Sequence, residues 1–384
     1  MIERRVRTKL VDQTKRGLAF IIIILLAISI FDMNILTSYA DKQSNQTVSE
    51  QQGSERVLQK KDFPEKLAVP EEIKIVFAGD TMFDWGLKPI LEKKGYDYPF
   101  LYVKDTVQHA DYSFINAETV FTENPHTKDP DQLFWINSDL RALEAMERAG
   151  FKMLNIGNNH TLDYMEPGLL DTLKHAKATN MEVIGAGANR EEAYQSKEVI
   201  LKGKKFRFFT FVRYFPNFTW AATKTKPGVP NGYDLEEVKQ TIQEQKGDAD
   251  YVIVYFHWGV EQTNIPADYQ FEYVKELREI GVDLIVGSHP HWLQGFEYYD
   301  GMPVAYSLGN FLFPPYVSGR TAESGLLIAT FRGKEINLAF DPYLINNGQI
   351  IPAEGTLKQD MLQYLESISF DVEIDKEGNI INTR

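Results

Sequence analysis

Short apolar runs alternate with stretches of helical spacing along most of this 384-residue chain. The apolar runs are predicted to be strands, and they lie at 73–80, 112–119, 152–159, 181–187, 251–259 and 282–291. Helices are predicted near 86–94, 138–149, 166–178, 234–245 and 268–280. Strands that alternate with helices indicate an α/β sandwich, and runs that are apolar throughout are typical of strands covered on both faces.

The pattern changes after residue 300. Three further apolar runs follow one another without helices between them, at 303–313, 325–332 and 335–345. We expect them to form a second, more antiparallel sheet. A helix near 357–368 and a hairpin over 369–383 follow. We therefore divide the body into one main domain over 71–345 and a C-terminal helix and hairpin over 346–384.

The N-terminal pattern differs from the rest. Residues 1–16 are rich in Lys and Arg, and an uncharged, mostly apolar stretch follows at 17–31. This order is typical of a signal peptide, here cleaved after Ala40, and also of an uncleaved membrane anchor over 17–40. Both alternatives place the basic end in the cytoplasm and the body outside. Residues 41–70 are polar and are predicted to be a linker.

Charge and cysteine content exclude some classes of function for this chain. The formal net charge is −13, so the chain is not expected to bind nucleic acid or another polyanion through its overall charge. An anionic substrate would need a locally positive site, such as a bound cation. Because the sequence has no cysteine, thiol nucleophiles and zinc–thiolate sites are excluded.

Polar residues that can bind a metal ion follow five of the predicted strands. They are Asp80, Glu118, Asn159 with His160, His257, and the pair His289 and His291. Sites in α/β sheets form at the carboxyl ends of strands, where these side chains would meet. Carboxylates, an amide oxygen and imidazoles suit divalent ions, and two ions could polarise a substrate oxygen and activate water. Each residue alone could be structural, but together they predict a shared metal site.

At these residues the sequence resembles the CapA family of poly-γ-glutamate capsule synthesis proteins, which is similar to the calcineurin-like metallophosphoesterases. The matching strings are FAGDTMF (77–83), NAETVF (116–121), IGNNHTLDY (156–164), HWGVE (257–261), GSHPH (287–291) and YSLGNFLF (306–313). The resemblance implies a four-layer α/β/β/α sandwich. It also implies an exported, membrane-tethered protein that acts in poly-γ-glutamate synthesis or export.

The resemblance further implies a role for each matching residue. One divalent ion would be bound by Asp80, Glu118 and His291. A second ion would be bound by Glu118, Asn159, His257 and His289. Each ion could equally be Mn, Zn, Fe or Mg. His160 would protonate the leaving group of the substrate.

The sequence allows more than one role for two further residues, Met82 and Arg213. Met82 stands where the phosphoesterase pattern normally has a histidine ligand, which predicts a weakened or missing ion unless Glu261 or Asp163 compensates. Arg213 follows an apolar strand and could bind a substrate carboxylate or phosphate, or form a structural ion pair.

Three functions remain open at this point. The first is the CapA-type role, with the polymer, the membrane and membrane polymer-synthase subunits as partners. The second is a metal-dependent hydrolase of another exported phosphoester or amide substrate. The third, suggested by Met82, is a non-catalytic scaffold for a membrane polymer synthase.

Overall fold

A computed structural model of the chain describes residues 71–384. The basic segment, the apolar segment and the linker predicted within 1–70 lie outside these residues, so those predictions stay as they are. Within residues 71–384, no helix is long and apolar enough to cross a membrane.

The described part of the chain alternates strands and helices up to about residue 300. Its strands are β1 (Ile73–Thr81), β2 (Tyr112–Ala117), β3 (Met153–Asn155), β4 (Glu182–Ile184), β5 (Lys197–Leu201), β6 (Lys204–Val212), β7 (Tyr251–His257), β8 (Leu284–Ser288), β9 (Phe296–Tyr299), β10 (Met302–Ala305), β11 (Asn310–Leu312), β12 (Glu323–Arg332), β13 (Glu335–Asn346), β14 (Gln349–Pro352), β15 (Val372–Ile374) and β16 (Asn379–Asn382). Its α-helices are α1 (Lys88–Lys94), α2 (Lys104–His109), α3 (Arg141–Ala149), α4 (Met165–Ala176), α5 (Arg190–Ala193), α6 (Leu235–Gln245), α7 (Asp268–Glu279) and α8 (Gly355–Ser367).

The strands form two sheets. The larger sheet has ten strands in the order β15-β16-β13-β12-β1-β2-β3-β4, with β11 also paired to β1 and β14 to β13. In this sheet β1 to β4 are parallel, and β12 lies antiparallel on the other side of β1. The smaller sheet has the order β5-β6-β7-β8-β10-β9, with a parallel centre from β6 to β10.

The two sheets pack face to face, and helices cover the outer face of each. Alternate residues of β1 show this division, because Ile75 and Phe77 belong to the core between the sheets. Val76 and Ala78 instead pack with α1 to α4 on the outer face of the larger sheet. A third core joins the smaller sheet to α6 and α7. The body therefore has helix, sheet, sheet and helix layers, as the period of two along a strand buried on both faces requires.

The prediction of a separate antiparallel sheet after residue 300 is wrong. β12 and β13 do form an antiparallel pair, but β12 also pairs with β1 over Ile73–Ala78 and so extends the larger sheet. β10 joins β8 in the smaller sheet. The reason lies in burial: Leu326 and Leu327 on β12 face opposite ways and both are fully buried, so this strand needs cover on both faces.

The carboxyl ends of the central strands of both sheets meet at one edge of the body. The pairing of β1 with β2 shifts register between Ala78 and Asp80, and bulges of this kind redirect a side chain. A Cβ atom on Gly79 would overlap backbone carbonyl oxygens of the loop at 308–309. The absence of a side chain at Gly79 therefore lets that loop approach β1 directly beside Asp80.

Candidate metal centre

The predicted ligands converge from both sheets. Their ligand atoms fall into two groups that share Glu118, and within each group the atoms lie within 4.8 Å of one another. One group contains Glu118, His257 and His289, and the other contains Asp80, Glu118 and His291. These groups contain the same histidines and carboxylates as the two ligand sets that the resemblance implies. The assignment of an ion to each set stays a prediction.

The two carboxylates come from the larger sheet and have different environments. Asp80 accepts hydrogen bonds from Asn116 Nδ2 at 2.7 Å and from the backbone amide of His289 at 3.0 Å. The backbone of Glu118 is fixed by its amide, which donates to the Thr81 carbonyl at 2.9 Å. The carboxylate of Glu118 is fully buried, and neither oxygen has a hydrogen-bond partner among the described residues.

His289 combines a strained backbone with an unpartnered ring. Its φ angle is +103°, in a region that residues with a side chain rarely adopt. The ring is fully buried and stacks on Tyr214 with 4.3 Å between centroids, yet neither ring nitrogen has a hydrogen-bond partner within residues 71–384. Buried polar atoms are normally paired, so the free oxygens of Glu118 and the free nitrogens of His289 fit a cation between them.

The other two imidazoles are oriented by neighbouring side chains. His257 contacts Asn159 Oδ1 through Nε2 at 2.7 Å and Ser288 Oγ through Nδ1 at 3.2 Å. His291 donates from Nδ1 to Asn310 Oδ1 at 2.9 Å, which leaves Nε2 facing Glu118 Oε1 at 3.7 Å. In His291 the hydrogen bond at Nδ1 fixes the tautomer and frees Nε2 to bind a metal, whereas both ring nitrogens of His257 have a polar contact.

Burial controls the protonation of the site. Burial raises the pKa of Glu118 well above its usual value, and the neighbouring Asp80 carboxylate raises it further. Burial also lowers the pKa of His257 and His289 well below their usual range, with nearby imidazoles adding to the effect. His257 and His289 are therefore neutral at physiological pH, the form that binds metals. A divalent cation would favour the ionised form of Glu118 that the protein alone disfavours.

His160 lies beside the ligand groups and is held by Asp163. Its Nδ1 donates to Asp163 Oδ2 at 2.8 Å, and its Nε2 lies 3.8 Å from Glu118 Oε1. Asp163 also accepts from the Ile136 amide at 2.7 Å and from Gln132 Nε2 at 2.8 Å. Asp163 therefore positions His160, and it belongs to neither ligand group.

The Met82 side chain lies among apolar residues, and the Arg213 guanidinium lies among tyrosine rings. Met82 is fully buried in a small apolar cluster with Ile136, Phe313 and Ile345. The guanidinium of Arg213 lies over the ring of Tyr269, with its central carbon 3.7 Å from the ring centroid. No carboxylate of residues 71–384 lies within ion-pair distance of Arg213, so the ion-pair alternative is wrong for the described part of the chain. Its substrate-binding role stays a prediction.

Comparisons with known proteins agree with the sequence motifs. The sequence pattern of a family described as bacterial capsule synthesis protein PGA_cap matches residues 74–315. The chain belongs to this family. It is 31% identical over 269 residues to the capsule biosynthesis protein CapA of Bacillus anthracis, an alignment that covers 69% of this chain. It is 33% identical over 257 residues to the PGA biosynthesis protein CapA of Bacillus subtilis (strain 168), which covers 65% of this chain.

The alignments span 65% and 66% of the lengths of these two relatives, just under two thirds. Among solved structures, this PGA_cap family member is similar to a hypothetical protein from Thermus thermophilus. The TM-score is 0.45 at 14% identity, over 73% of this chain and 100% of the other.

Several residues that support the site were not predicted individually. Asn116 links the site internally, because it donates to Asp80 and accepts from Asn155 Nδ2 at 2.8 Å. Ser288 contacts His257, and Tyr214 stacks on His289. Asn116 and Ser288 lie inside the NAETVF and GSHPH motifs of this PGA_cap protein, so the motifs could have identified them as residues near the site. Tyr214 lies in none of the motifs, and its contact with His289 depends on the conformation of the loop after β6.

A cleft of about 690 Å³ opens onto the site of this PGA_cap protein. His160 and His291 lie on its wall, together with Glu261. The remaining lining residues are mostly apolar or aromatic, and they are Trp85, Phe134, Ile136, Gln262, Asn310, Phe313, Tyr316, Val317 and Thr321. The candidate metal centre is thus accessible from solvent through a cavity of the size that binds small molecules.

Proposed function

We propose that this chain is an exported, membrane-tethered CapA-type protein of poly-γ-glutamate capsule biosynthesis, with a two-ion divalent-metal site that performs hydrolase-like chemistry. Family membership supports the biosynthetic role, since the two Bacillus relatives are named as capsule and PGA biosynthesis proteins. The basic and apolar N-terminal pattern supports membrane attachment.

We assign the body to the calcineurin-like metallophosphatase fold. Its four layers and the position of the ligands at the carboxyl ends of central strands support this assignment. The same arrangement explains why ligands from distant parts of the sequence converge, because parallel strands bring their carboxyl ends to one edge.

One observation carries the metal proposal. Glu118 belongs to both ligand groups, and its two buried oxygens have no other partner among the described residues. A carboxylate with two free oxygens between the imidazoles of both groups is suited to hold divalent cations. Bound there, divalent ions would supply Lewis-acid polarisation of a phosphoryl or carbonyl oxygen of the substrate.

The surrounding residues would complete a hydrolytic site. Asp163 fixes the proton of His160 on Nδ1, so Nε2 is the atom through which His160 exchanges a proton with a leaving group. The Oδ1 atom of Asn159 contacts His257 and would bind the same ion as that histidine. The Oδ1 atom of Asn310 fixes the orientation of the His291 ring. The cleft would bring the substrate to this edge.

The scaffold alternative rests on Met82, whose side chain lies in an apolar cluster and supplies no ligand. The two ligand groups that form without Met82 favour the metal site over a pure scaffold. The second alternative, a hydrolase of another exported substrate, uses the same site and differs only in what enters the cleft.

The first test is metal content. The whole 384-residue chain, purified without chelators, is expected to carry about two divalent ions, and Glu118→Gln is expected to lose most of them. Glu123→Gln is the matched control, because the Glu123 side chain is 70% exposed and lies outside both ligand groups. A native chain with no bound metal, or one in which the two variants keep equal metal, would count against the site.

The second test concerns the cell. In a poly-γ-glutamate-producing strain that lacks the gene, the native gene and the Glu123→Gln variant should restore surface polymer, and Glu118→Gln should not. If the strain makes normal polymer without the gene, the biosynthetic role is wrong. If Glu118→Gln restores polymer fully, the role does not depend on the metal site.

A further inference from the structure

The cleft beside the metal centre has an aromatic wall built from three separate loops. Trp85 follows β1 and contacts Phe134, which belongs to the long loop after β2, at 5.9 Å between ring centroids. On its other side Trp85 stacks on Tyr316, from the loop before β12, at 6.3 Å. The indole is held in place because its Nε1 donates to the Trp135 carbonyl at 3.2 Å.

Much of this wall is exposed to solvent. Phe134 is 63% exposed and Tyr316 is 61% exposed, although both rings line the cleft. Large apolar side chains that cluster at the mouth of a polar site are unfavourable in water unless they contact a ligand. Three loops would not converge on one exposed aromatic cluster for packing alone, because neither Phe134 nor Tyr316 is buried by the contact.

The charge of the cleft is the second observation. Among the described residues that line it, Glu261 carries a formal negative charge and no Lys or Arg is present. Glu261 also faces the ligand groups, since its charge contributes to the raised pKa of Glu118. A segment of polyanion such as poly-γ-glutamate carries a carboxylate on every residue. Along the cleft it would meet the Glu261 carboxylate with no lining Lys or Arg, because the proposed cations lie at the metal centre and compensate only the reacting end.

We propose that this cleft is the subsite for an uncharged, apolar group of the substrate, at least as large as one ring, whose polar reacting end lies at the metal centre. This inference rests on the proposed hydrolase-like site and names its substrate class. The substrate is an ester or amide that joins a compact polar group to an apolar organic group. Phe134 and Tyr316 are the specificity-determining residues, and Glu261 selects against an anionic substituent.

Binding of two simple phosphonates tests the proposal without turnover. The whole chain, loaded with Mn²⁺, is titrated by calorimetry with phenylphosphonate and methylphosphonate. The phenyl compound is expected to bind at least about tenfold more tightly, the factor that follows when on the order of 60 Å² of apolar surface leaves water. In the Phe134→Ala/Tyr316→Ala double variant, this preference should fall to about twofold or less.

Two controls test whether the binding preference comes from the aromatic wall and from the charge of Glu261. Leu133→Ala removes an apolar side chain that is 82% exposed and next to Phe134 but outside the cleft, and it should keep the native preference. A para-carboxylate on the phenyl ring should weaken binding to the native chain by about tenfold, and Glu261→Gln should reduce that penalty.

The outcomes also distinguish this inference from the proposed function. A phenyl preference that depends on Phe134 and Tyr316, in a protein that hydrolyses nothing, would support the cleft and count against the hydrolase. Hydrolysis of small esters without a phenyl preference would overturn the inference and leave the hydrolase intact. Failure of the Mn²⁺-loaded chain to bind either phosphonate would also overturn it.

Discussion

Replacing Glu118 by Gln should make the metal-free protein more stable at neutral pH. The Glu118 and Asp80 ligand atoms lie within 4.8 Å of each other. At an effective dielectric constant near 20, two full charges at that distance repel by about 3.5 kcal/mol. The Gln amide would leave unpaired polar atoms of its own, which cost about 1–3 kcal/mol, but Glu118 already has two unpaired oxygens. We therefore expect a net gain of about 1–3 kcal/mol in the free energy of unfolding.

The pH dependence has a defined sign. Burial raises the pKa of Glu118 in the folded state, so the folded protein holds this proton more tightly than the unfolded chain does. The destabilising effect is absent below the unfolded pKa of about 4.3, appears as pH rises above it, and is complete above the folded pKa. The advantage of Glu118→Gln over the native chain should therefore be small near about pH 4 and should grow toward about pH 7.5.

The assay is urea unfolding of the whole chain with a chelator at several pH values, repeated with Mn²⁺. Added metal at about 100 times its dissociation constant should stabilise the native chain by about 2.7 kcal/mol and the variant by much less. Glu123→Gln, with its exposed side chain, should change stability by less than about 0.5 kcal/mol under every condition. The reasoning fails if metal-free Glu118→Gln is less stable than the native chain at neutral pH, or if their difference does not change with pH.

Three other substitutions test the support of the site. Asp163→Asn should lower turnover of any substrate by about 100-fold, because His160 loses its orientation, while metal content measured by elemental analysis stays unchanged; a loss of metal would contradict the positioning role. Asn310→Ala removes the acceptor for His291 Nδ1 and should weaken metal binding by about 10- to 100-fold in chelator competition, whereas unchanged affinity would contradict this. Gly79→Ala should cost about 1–3 kcal/mol or more in urea unfolding, since its Cβ would overlap the loop at 308–309, and a neutral effect would refute that close approach.

The residues of the site could be predicted from the sequence because they share a simple pattern. Asp80 and His257 end continuous apolar runs, and Glu118 follows one closely, so predicting these runs as strands places all three residues at one edge. The predicted helices also agree with α3, α4, α6 and α7 to within a few residues at each end. These features depend on local periodicity, which the sequence carries directly.

Other features depend on contacts between distant segments. Local periodicity predicts that β12 pairs with β13, but it cannot reveal that β12 also continues the sheet beside β1. His160 and Asp163 are three residues apart, so the sequence allows a hydrogen bond between them. Asp163 is held in place by Ile136 and Gln132, which belong to another loop, and the sequence does not reveal these contacts. The +103° φ angle of His289 is likewise imposed by the surrounding fold, because nothing in the residue type favours it.

Hydrogen bonds within the protein join the two sheets at the site. The amide of His289, from the smaller sheet, donates to Asp80 of the larger sheet, and His257 contacts Asn159 in the same way across the interface. These bonds hold ligands from both sheets within reach of one another. An ion would therefore bind to side chains that the fold itself positions, and preorganisation of this kind favours tight binding. Among the carboxylates and imidazoles of the two ligand groups, the side-chain atoms without a hydrogen-bond partner in residues 71–384 belong to Glu118 and His289, which an ion would stabilise directly.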